Sequence, residues 1–318
     1  ATLFELTDGT SIGVLADGPF TVKNEDAETY AQKNYFAPIR SDSSIRHEDG
    51  VLFVDVQKIY CPHCEQDVRW DVWPGANSPV SGHYYIAEDF TAQSGQWSIV
   101  AGTDVVLDLR GNTYSTNGIR NFLVRGTLSV VDTAGGGEMV VTGNAAAHGG
   151  IAMVSTANGS EKPACFNLYS GTLRLADNHA TVEYGSVLQV TSGAVLNMYG
   201  GTICGGSATV AGGNVNIGSA NVTFNMYGGE ISYNVANEQG GGAGGVHISA
   251  AGTFNLEDGS VINNNSRRNI YMSIDDYTKM IRDAGMIPGL SAHMPELVTY
   301  SDENGYDVQT YIQIYNCM

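Results

Sequence analysis

Between about residues 149 and 265 apolar and polar positions alternate in short runs, and the runs recur. Phe166-Asn167-Leu168-Tyr169, Leu196-Asn197-Met198-Tyr199, Phe224-Asn225-Met226-Tyr227 and Phe254-Asn255-Leu256-Glu257 read alike and start 30, 28 and 30 residues apart. Alternation with a period of two predicts strands, because successive side chains of a strand point to opposite faces. Each run is followed by a glycine turn and a second short strand: Gly171-Thr172-Leu173, Gly201-Thr202-Ile203, Gly229-Glu230-Ile231 and Gly259-Ser260-Val261. Each is preceded, after a glycine, by a third strand: Ile151 to Val154, Val187 to Val190, Val215 to Ile217 and Val246 to Ile248. One unit is thus three short strands joined by three turns.

A unit of this size cannot bury its own apolar face. Stacking copies does so, each strand pairing with its equivalent in the next unit about 4.8 Å away. The expected fold is all-β: a single-stranded, right-handed parallel β-helix with three short strands per coil. Its glycines suit corners that need positive φ. An ordinary β-sandwich has no need of one tripeptide at near-constant spacing. The pattern extends upstream in weaker form through Val105-Val106-Leu107-Asp108-Leu109, Gly126 to Val131 and Met139 to Val141. That makes roughly six coils, or about 30 Å of rise. The right hand follows from the crossover preference of parallel strands.

The two ends depart from the repeat. Residues 1–60 read as an N-terminal cap or small module, with a strand-like run at Val51 to Val56; residues 61–265 read as the β-helix; residues 266–318 read as a C-terminal cap. In that cap Ser273-Ile274-Asp275-Asp276 is a helix-start signal. Ile274, Tyr277, Ile281 and Ala284 share one helical face before Gly285 and Pro288, so a capping helix is expected over about 274–284. Tyr311, Ile312, Ile314 and Tyr315 suggest a final strand. Caps are needed because a coil stack otherwise ends in open strand edges.

Composition narrows the function classes. Among 318 residues only 15% are charged, yet the formal net charge is −18, from 15 Lys and Arg against 33 Asp and Glu. Such a surface repels phosphate backbones and anionic lipid, which argues against nucleic-acid partners. No apolar run approaches the roughly 20 residues of a membrane-spanning helix. Five cysteines are too few for a disulfide framework.

The repeated pattern GGTFN(L/M)xGGxI, with its preceding GGV strands, resembles the right-handed β-helix repeats of large bacterial extracellular and cell-surface proteins, common in gut Firmicutes. The upstream run Cys61-Pro62-His63-Cys64, Trp70, Trp73, Gly82-His83-Tyr84-Tyr85-Ile86 and Leu107-Asp108-Leu109-Arg110-Gly111-Asn112-Thr113 is similar to segments that precede such repeats. The resemblance covers about residues 60 to 265. It implies an extracellular or surface setting and, for some members, trimers. It does not choose an activity, because one fold carries many.

Three groups of residues carry candidate chemistry. Cys61 and Cys64, with His63 and His83 close by and His47 further off, offer a structural zinc site. The same two cysteines could instead form a local disulfide in an oxidising setting, or stay free. A thioredoxin-like role has no βαβ pattern to stand on. The second group is the repeat itself. With Phe166 and Leu168 inward, Asn167, Asn197, Asn225 and Asn255 fall in one outward row and Tyr169, Tyr199 and Tyr227 in another. This strip is either a platform for sugar rings or a ladder that holds coil on coil.

The third group is the loop holding Asp177, His179 and Glu183. A glycosidase needs two carboxylates roughly 5–9 Å apart, and Asp177 and Glu183 could supply them. A lyase would use a base such as Arg120, Arg125 or Arg174 beside calcium-binding acids, but no acidic group is placed beside them by spacing. Solvated turn residues are the plainer reading of this loop, and the lone His148 and His247 also read as turn or surface residues. Gly135 to Gly137 and Gly240 to Gly242 are not phosphate loops, since no Lys-Ser/Thr follows.

The leading expectation is a non-enzymatic extracellular module, adhesin-like or structural, whose partner is a glycan or a host or cell-surface protein. A glycoside hydrolase or polysaccharide lyase with a cleft along one face is the alternative. A self-assembling surface or fibre protein, a homo-oligomer, is the third.

Overall fold

In a computed structural model the protein is all strand, with no helix among the described residues. These are residues 12–14, 18–20, 36–38, 43–48, 51–56, 58–73, 78–92, 96–143, 149–176, 182–211, 214–236, 244–248, 252–257, 260–263, 270–271, 298–301 and 307–310. The expected capping helix over 274–284 and the strand at 311–315 lie outside them. The chain forms two compact units, Ala1–Trp70 and Asp71–Met318.

In the first unit Gly18–Phe20, Val51–Val56 and Ser43–Glu48 form a three-stranded antiparallel sheet. Ile12–Val14 pairs in parallel with Phe36–Pro38. Lys58–Cys61 and Gln66–Arg69 make an antiparallel hairpin. Trp70, 2% exposed, folds back on this hairpin and donates its indole Nε1 to the carbonyl of Ile59 (3.1 Å).

The second unit is dominated by three long parallel sheets of eight, seven and seven strands. The first runs through Asp71–Val72, Gly82–Tyr85, Asp104–Asp108, Thr127–Val131, Cys165–Leu168, Val195–Met198, Thr223–Met226 and Thr253–Leu256. The second runs from Phe90–Ala92 through Thr172–Leu175 and Thr202–Cys204 to Ser260–Asn263. The third runs from Trp97–Ile99 through Leu188–Thr191 and Val215–Ile217 to Ile270–Tyr271. From Gly82 onward the chain visits the three sheets in fixed rotation, and every neighbour within a sheet comes from the preceding or following visit. This topology is compatible with a parallel β-helix.

The seven strands of the second and third sheets exceed the six expected, because the pattern reaches back to Gly82, where its glycines and alternation have faded. A small fourth sheet, Val182–Tyr184, Ser207–Ala211 and Val235–Ala236, lies in chain order between the second and third sheets. The sequence suggested only a loop there.

Register explains the core. Leu128, Phe166, Leu196, Phe224 and Phe254 occupy one row of the first sheet, and each is at most 4% exposed. The rings of Phe224 and Phe254 stack with centroids 4.8 Å apart. Tyr114, Met139, Leu173, Ile203, Ile231 and Ile262 make the matching row of the second sheet. All join one continuous apolar cluster. At the upstream end Trp73 packs edge-on against Tyr84, Trp97, Tyr114 and Phe122 at 5.7–6.5 Å, an aromatic plug in the core.

The corners explain the glycines. Gly171, Gly201 and Gly229 recur at the turn out of the first sheet with φ of 88°, 79° and 89°, in the left-handed region. A Cβ on Gly201 would also lie 2.6 Å from the carbonyl oxygen of Gly171, at the equivalent turn of the preceding repeat.

Candidate functional site

The outward face of the first sheet carries the most regular chemistry. Asn167, Asn197, Asn225 and Asn255 stand in one register row. Each amide donates to the preceding one: Asn255 Nδ2 to Asn225 Oδ1 (2.7 Å), Asn225 Nδ2 to Asn197 Oδ1 (2.8 Å), and Asn197 Nδ2 to Asn167 Oδ1 (2.8 Å). Asn167 Nδ2 ends the ladder on the hydroxyl of Ser129 (2.9 Å). The repeat predicts the row and offers such a ladder as one of its two readings; the bonds show the amides satisfying one another. Asn167 is only 5% exposed, so a ligand meets a ladder whose hydrogen bonds are largely spent internally.

Beside it, Tyr169, Tyr199 and Tyr227 follow the strand ends, held by the backbone bonds Tyr199 N to Leu168 O and Tyr227 N to Met198 O, both 2.8 Å. Their rings stack with centroids 4.5 and 4.9 Å apart and interplanar angles of 14° and 13°. Tyr199 and Tyr227 are 43% and 38% exposed. Partial burial raises the Tyr199 hydroxyl pKa, with Tyr227 beside it adding to the rise. Because the rings cover one another's faces, the strip offers solvent mainly edges and hydroxyls. A flat stack on a sugar ring fits the ends of the column better than its middle.

No family model matches this chain, and no curated protein or solved structure matches it. The site therefore stands on its own geometry.

The sequence missed a second ladder. On the third sheet Gln189, Asn216 and His247 share the outward row. Asn216 Nδ2 donates to Gln189 Oε1 (2.9 Å), and His247 Nδ1 lies 2.8 Å from Asn216 Oδ1. Burial lowers the His247 pKa to about 4, so the imidazole is neutral at neutral pH and in this geometry donates Nδ1–H. The only sequence signal was a polar residue between two apolar ones in each strand.

Buried carboxylates serve the corners. Asp108 accepts from the backbone N–H groups of Arg110 and Thr133 (both 3.0 Å) and from the Thr133 hydroxyl (2.7 Å). Asp132 accepts from the N–H groups of Gly111 and Gly137 at 2.7 Å each. Arg110 lies over the ring of Tyr85, 3.6 Å from its centroid.

Asp177 and His179 lie outside the described residues, as does His148. Glu183 lies on the strand Val182–Tyr184, in the fourth sheet, where a loop was expected. Arg174 pairs with Glu138 (2.8 Å), and Arg120 donates to the carbonyl of Gly149 (3.0 Å) and to Gln96 (3.1 Å). Cys165 is half-buried and its thiol pKa is pushed up to about 11, chiefly by burial, which makes it a poor nucleophile at neutral pH.

Cys61 and Cys64 sit where the Lys58–Cys61 hairpin turns, and their sulfurs lie within 4.8 Å of one another. They are thiols, not a disulfide, with Cys61 buried and Cys64 half-buried. Two such thiols could bind a metal ion. His63 is in the same turn and half-buried; His83 is half-buried on the strand Gly82–Tyr85; His47 is on Ser43–Glu48.

Proposed function

We propose that this chain is a non-enzymatic extracellular binding module, in which a right-handed, single-stranded parallel β-helix presents the Tyr169–Tyr199–Tyr227 strip and its asparagine neighbours to a glycan or a cell-surface protein. The observation that carries this reading is the exposure of Tyr199 and Tyr227 in a regular column on a sheet face. Exposed aromatic edges with hydroxyls at a fixed repeat suit an extended ligand lying along the coil axis. The phenols donate and accept hydrogen bonds, and the rings give apolar contact at small entropic cost. A rigid coil stack supplies preorganisation, which reduces the ordering cost of binding. The net charge of −18 favours neutral or cationic partners over polyanions.

The test separates binding from coil support. Neutral, anionic and amino-sugar glycans are immobilised, and retention of the intact chain is compared with that of Tyr199→Ala, Tyr227→Ala and Tyr199→Phe. Binding variants that stay folded should lose retention, and Tyr199→Phe should lose less than Tyr199→Ala. Retention that is unchanged in folded tyrosine variants would remove the strip from the reading. Release of new reducing ends or unsaturated uronides from any of the glycans would replace the binding reading with an enzymatic one.

A further inference from the structure

We propose that Tyr227 and Glu257 form a binding site for an amino-sugar ring, the pyranose lying on the outer face of Tyr227 and its ammonium group meeting the Glu257 carboxylate. The site rests on the tyrosine strip being a binding face, and it names the residue that gives that face a preference. The repeat places the pair. Met226 is registered with Leu256, so the residues that follow them, Tyr227 and Glu257, are neighbours across the end pair of the first sheet. The backbone bond is the one the tyrosines make. Glu257 N donates to Met226 O (2.9 Å), as Tyr227 N does to Met198 O and Tyr199 N to Leu168 O (both 2.8 Å). Glu257 therefore stands where a fourth tyrosine would continue the column.

The two ends of the column differ. Upstream, the registered pair Leu168 and Val130 is followed by Tyr169 opposite Val131, which is fully buried and uncharged. In the middle, Tyr199 has a ring on each side, with centroids 4.5 and 4.9 Å away. Downstream, Tyr227 has one face on Tyr199 and the other toward the strand that ends at Glu257. Tyr227 is 38% exposed, and Glu257 is exposed. A carboxylate at the rim of an aromatic face suits a cation. The ring quadrupole attracts positive charge within about 6 Å of its centroid, and the carboxylate pairs with that charge. A strand spacing of about 4.8 Å brings both within reach of one bound group.

A ring that carries a cation fits this end better than a flexible chain does. The change from tyrosine to glutamate stops the stack beside a side chain with no flat face. A pyranose has about the footprint of a phenol ring. It packs its C–H face on Tyr227 and projects an amine from its rim toward the carboxylate. A lysine side chain supplies the ammonium but no ring. The net charge of −18 adds long-range attraction for a cation. The neighbouring asparagines, bonded to one another, contribute little to the choice.

The experiment uses the full chain and soluble probes, with affinity read by titration calorimetry. The probes are the β-1,4-linked tetramer of glucosamine, its fully N-acetylated counterpart, the corresponding glucose tetramer, and tetralysine. The intact chain should bind the glucosamine tetramer about fivefold or more tighter than the two uncharged tetramers, because an exposed cation–π contact and an exposed ion pair go with the ammonium. That preference should shrink as salt is raised. Glu257→Gln should remove most of the preference and leave binding of the uncharged tetramers unchanged. Tyr227→Phe, which keeps the ring face, should retain the preference. Glu161→Gln makes the same change of charge at another exposed position and should also retain it.

Equal loss in Glu161→Gln and Glu257→Gln would reduce the effect to overall charge and overturn the site. A preference untouched by Glu257→Gln would overturn it too. Tetralysine bound as tightly as the glucosamine tetramer, and as sensitive to Glu257→Gln, would replace the sugar with a basic protein segment. Folded Tyr227→Ala that loses the uncharged tetramers, with Glu257→Gln unchanged in every titration, would keep the strip and remove this site. Binding of none of the probes would overturn the site and leave the strip to the wider set of immobilised glycans.

Discussion

Asn225 donates its side-chain amide to Asn197 across 2.8 Å, from one strand of the first sheet to the next, and Asn197 passes the same bond on to Asn167. Each amide is donor to one neighbour and acceptor from the other, so the row polarises along its length. Asn197→Ala removes both bonds at once, leaving the Asn225 amide without its acceptor and Asn167 Oδ1 with only the Cys165 thiol as donor. The expected cost is about 1–3 kcal/mol, read as a lower urea midpoint with an unchanged slope. Asn197→Asp should cost more than Asn197→Ala, because the carboxylate cannot donate to Asn167 and places its charge against that oxygen.

The core stack has no slack at Phe224, which is fully buried and faces Phe254 at 4.8 Å. Phe224→Ala should destabilise by about 3–5 kcal/mol. Chemical denaturation measures it. A nearly neutral result would mean that the strand register is wrong by one residue.

Gly126→Ala tests a corner rather than the core. A Cβ there would collide with the carbonyl oxygens of Val100 and Thr103, in the turn between Trp97–Ile99 and Asp104–Asp108, and backbone cannot move aside as a side chain can. The expected loss is about 1–3 kcal/mol or more, whereas Gly135→Ala, with nothing within 4 Å of the new atom, should suffer only the strain of its φ of 81°. Thermal melts of the two variants, side by side, make the comparison.

Asp132 accepts two backbone N–H bonds at 2.7 Å within the corner it shares with Gly111 and Gly137. Asp132→Ala should cost about 1.5–3 kcal/mol per charge-assisted bond at most. Hydrogen exchange at the Gly111 and Gly137 amides should accelerate in the variant before any other site does.

His247 sets a pH dependence. Its pKa falls from 6.5 to about 4 on folding, because burial disfavours the charged form. The unfolded chain therefore binds a proton as pH drops through 6.5, while the folded chain stays neutral until about 4. Stability from this group is present above 6.5 and is lost as pH falls toward 4, by up to about 3 kcal/mol. His247→Gln should flatten that part of the stability-against-pH curve. An unchanged slope between pH 6.5 and 4 would show that another group carries it.

The repeat was legible because strands paired in register along one parallel sheet see the same environment at every repeat. Phe166, Leu196, Phe224 and Phe254 recur because one inward position is filled at every pass, and Gly171, Gly201 and Gly229 recur because one corner demands a left-handed backbone. Periodicity alone gave the strands, their parallel pairing and the two outward rows. The aromatic plug around Trp73 left no such trace, since an end of a stack is met once and its residues need not repeat. The fourth sheet was hidden for a related reason: Val182–Tyr184 and Ser207–Ala211 share little pattern, and their pairing even shifts register, so only their pairing in the folded chain makes them strands.

The candidate sites divide the same way. Residue types and spacing marked Cys61 and Cys64, the asparagines and the tyrosines. Whether asparagines meet solvent or one another, and whether tyrosines show faces or edges, depends on distances of about 4.8 Å between neighbouring strands. Those distances are a property of the folded stack. At that spacing an amide reaches its neighbour and a ring covers the next ring, so chemistry that a linear reading assigns to a ligand is partly spent on the protein itself.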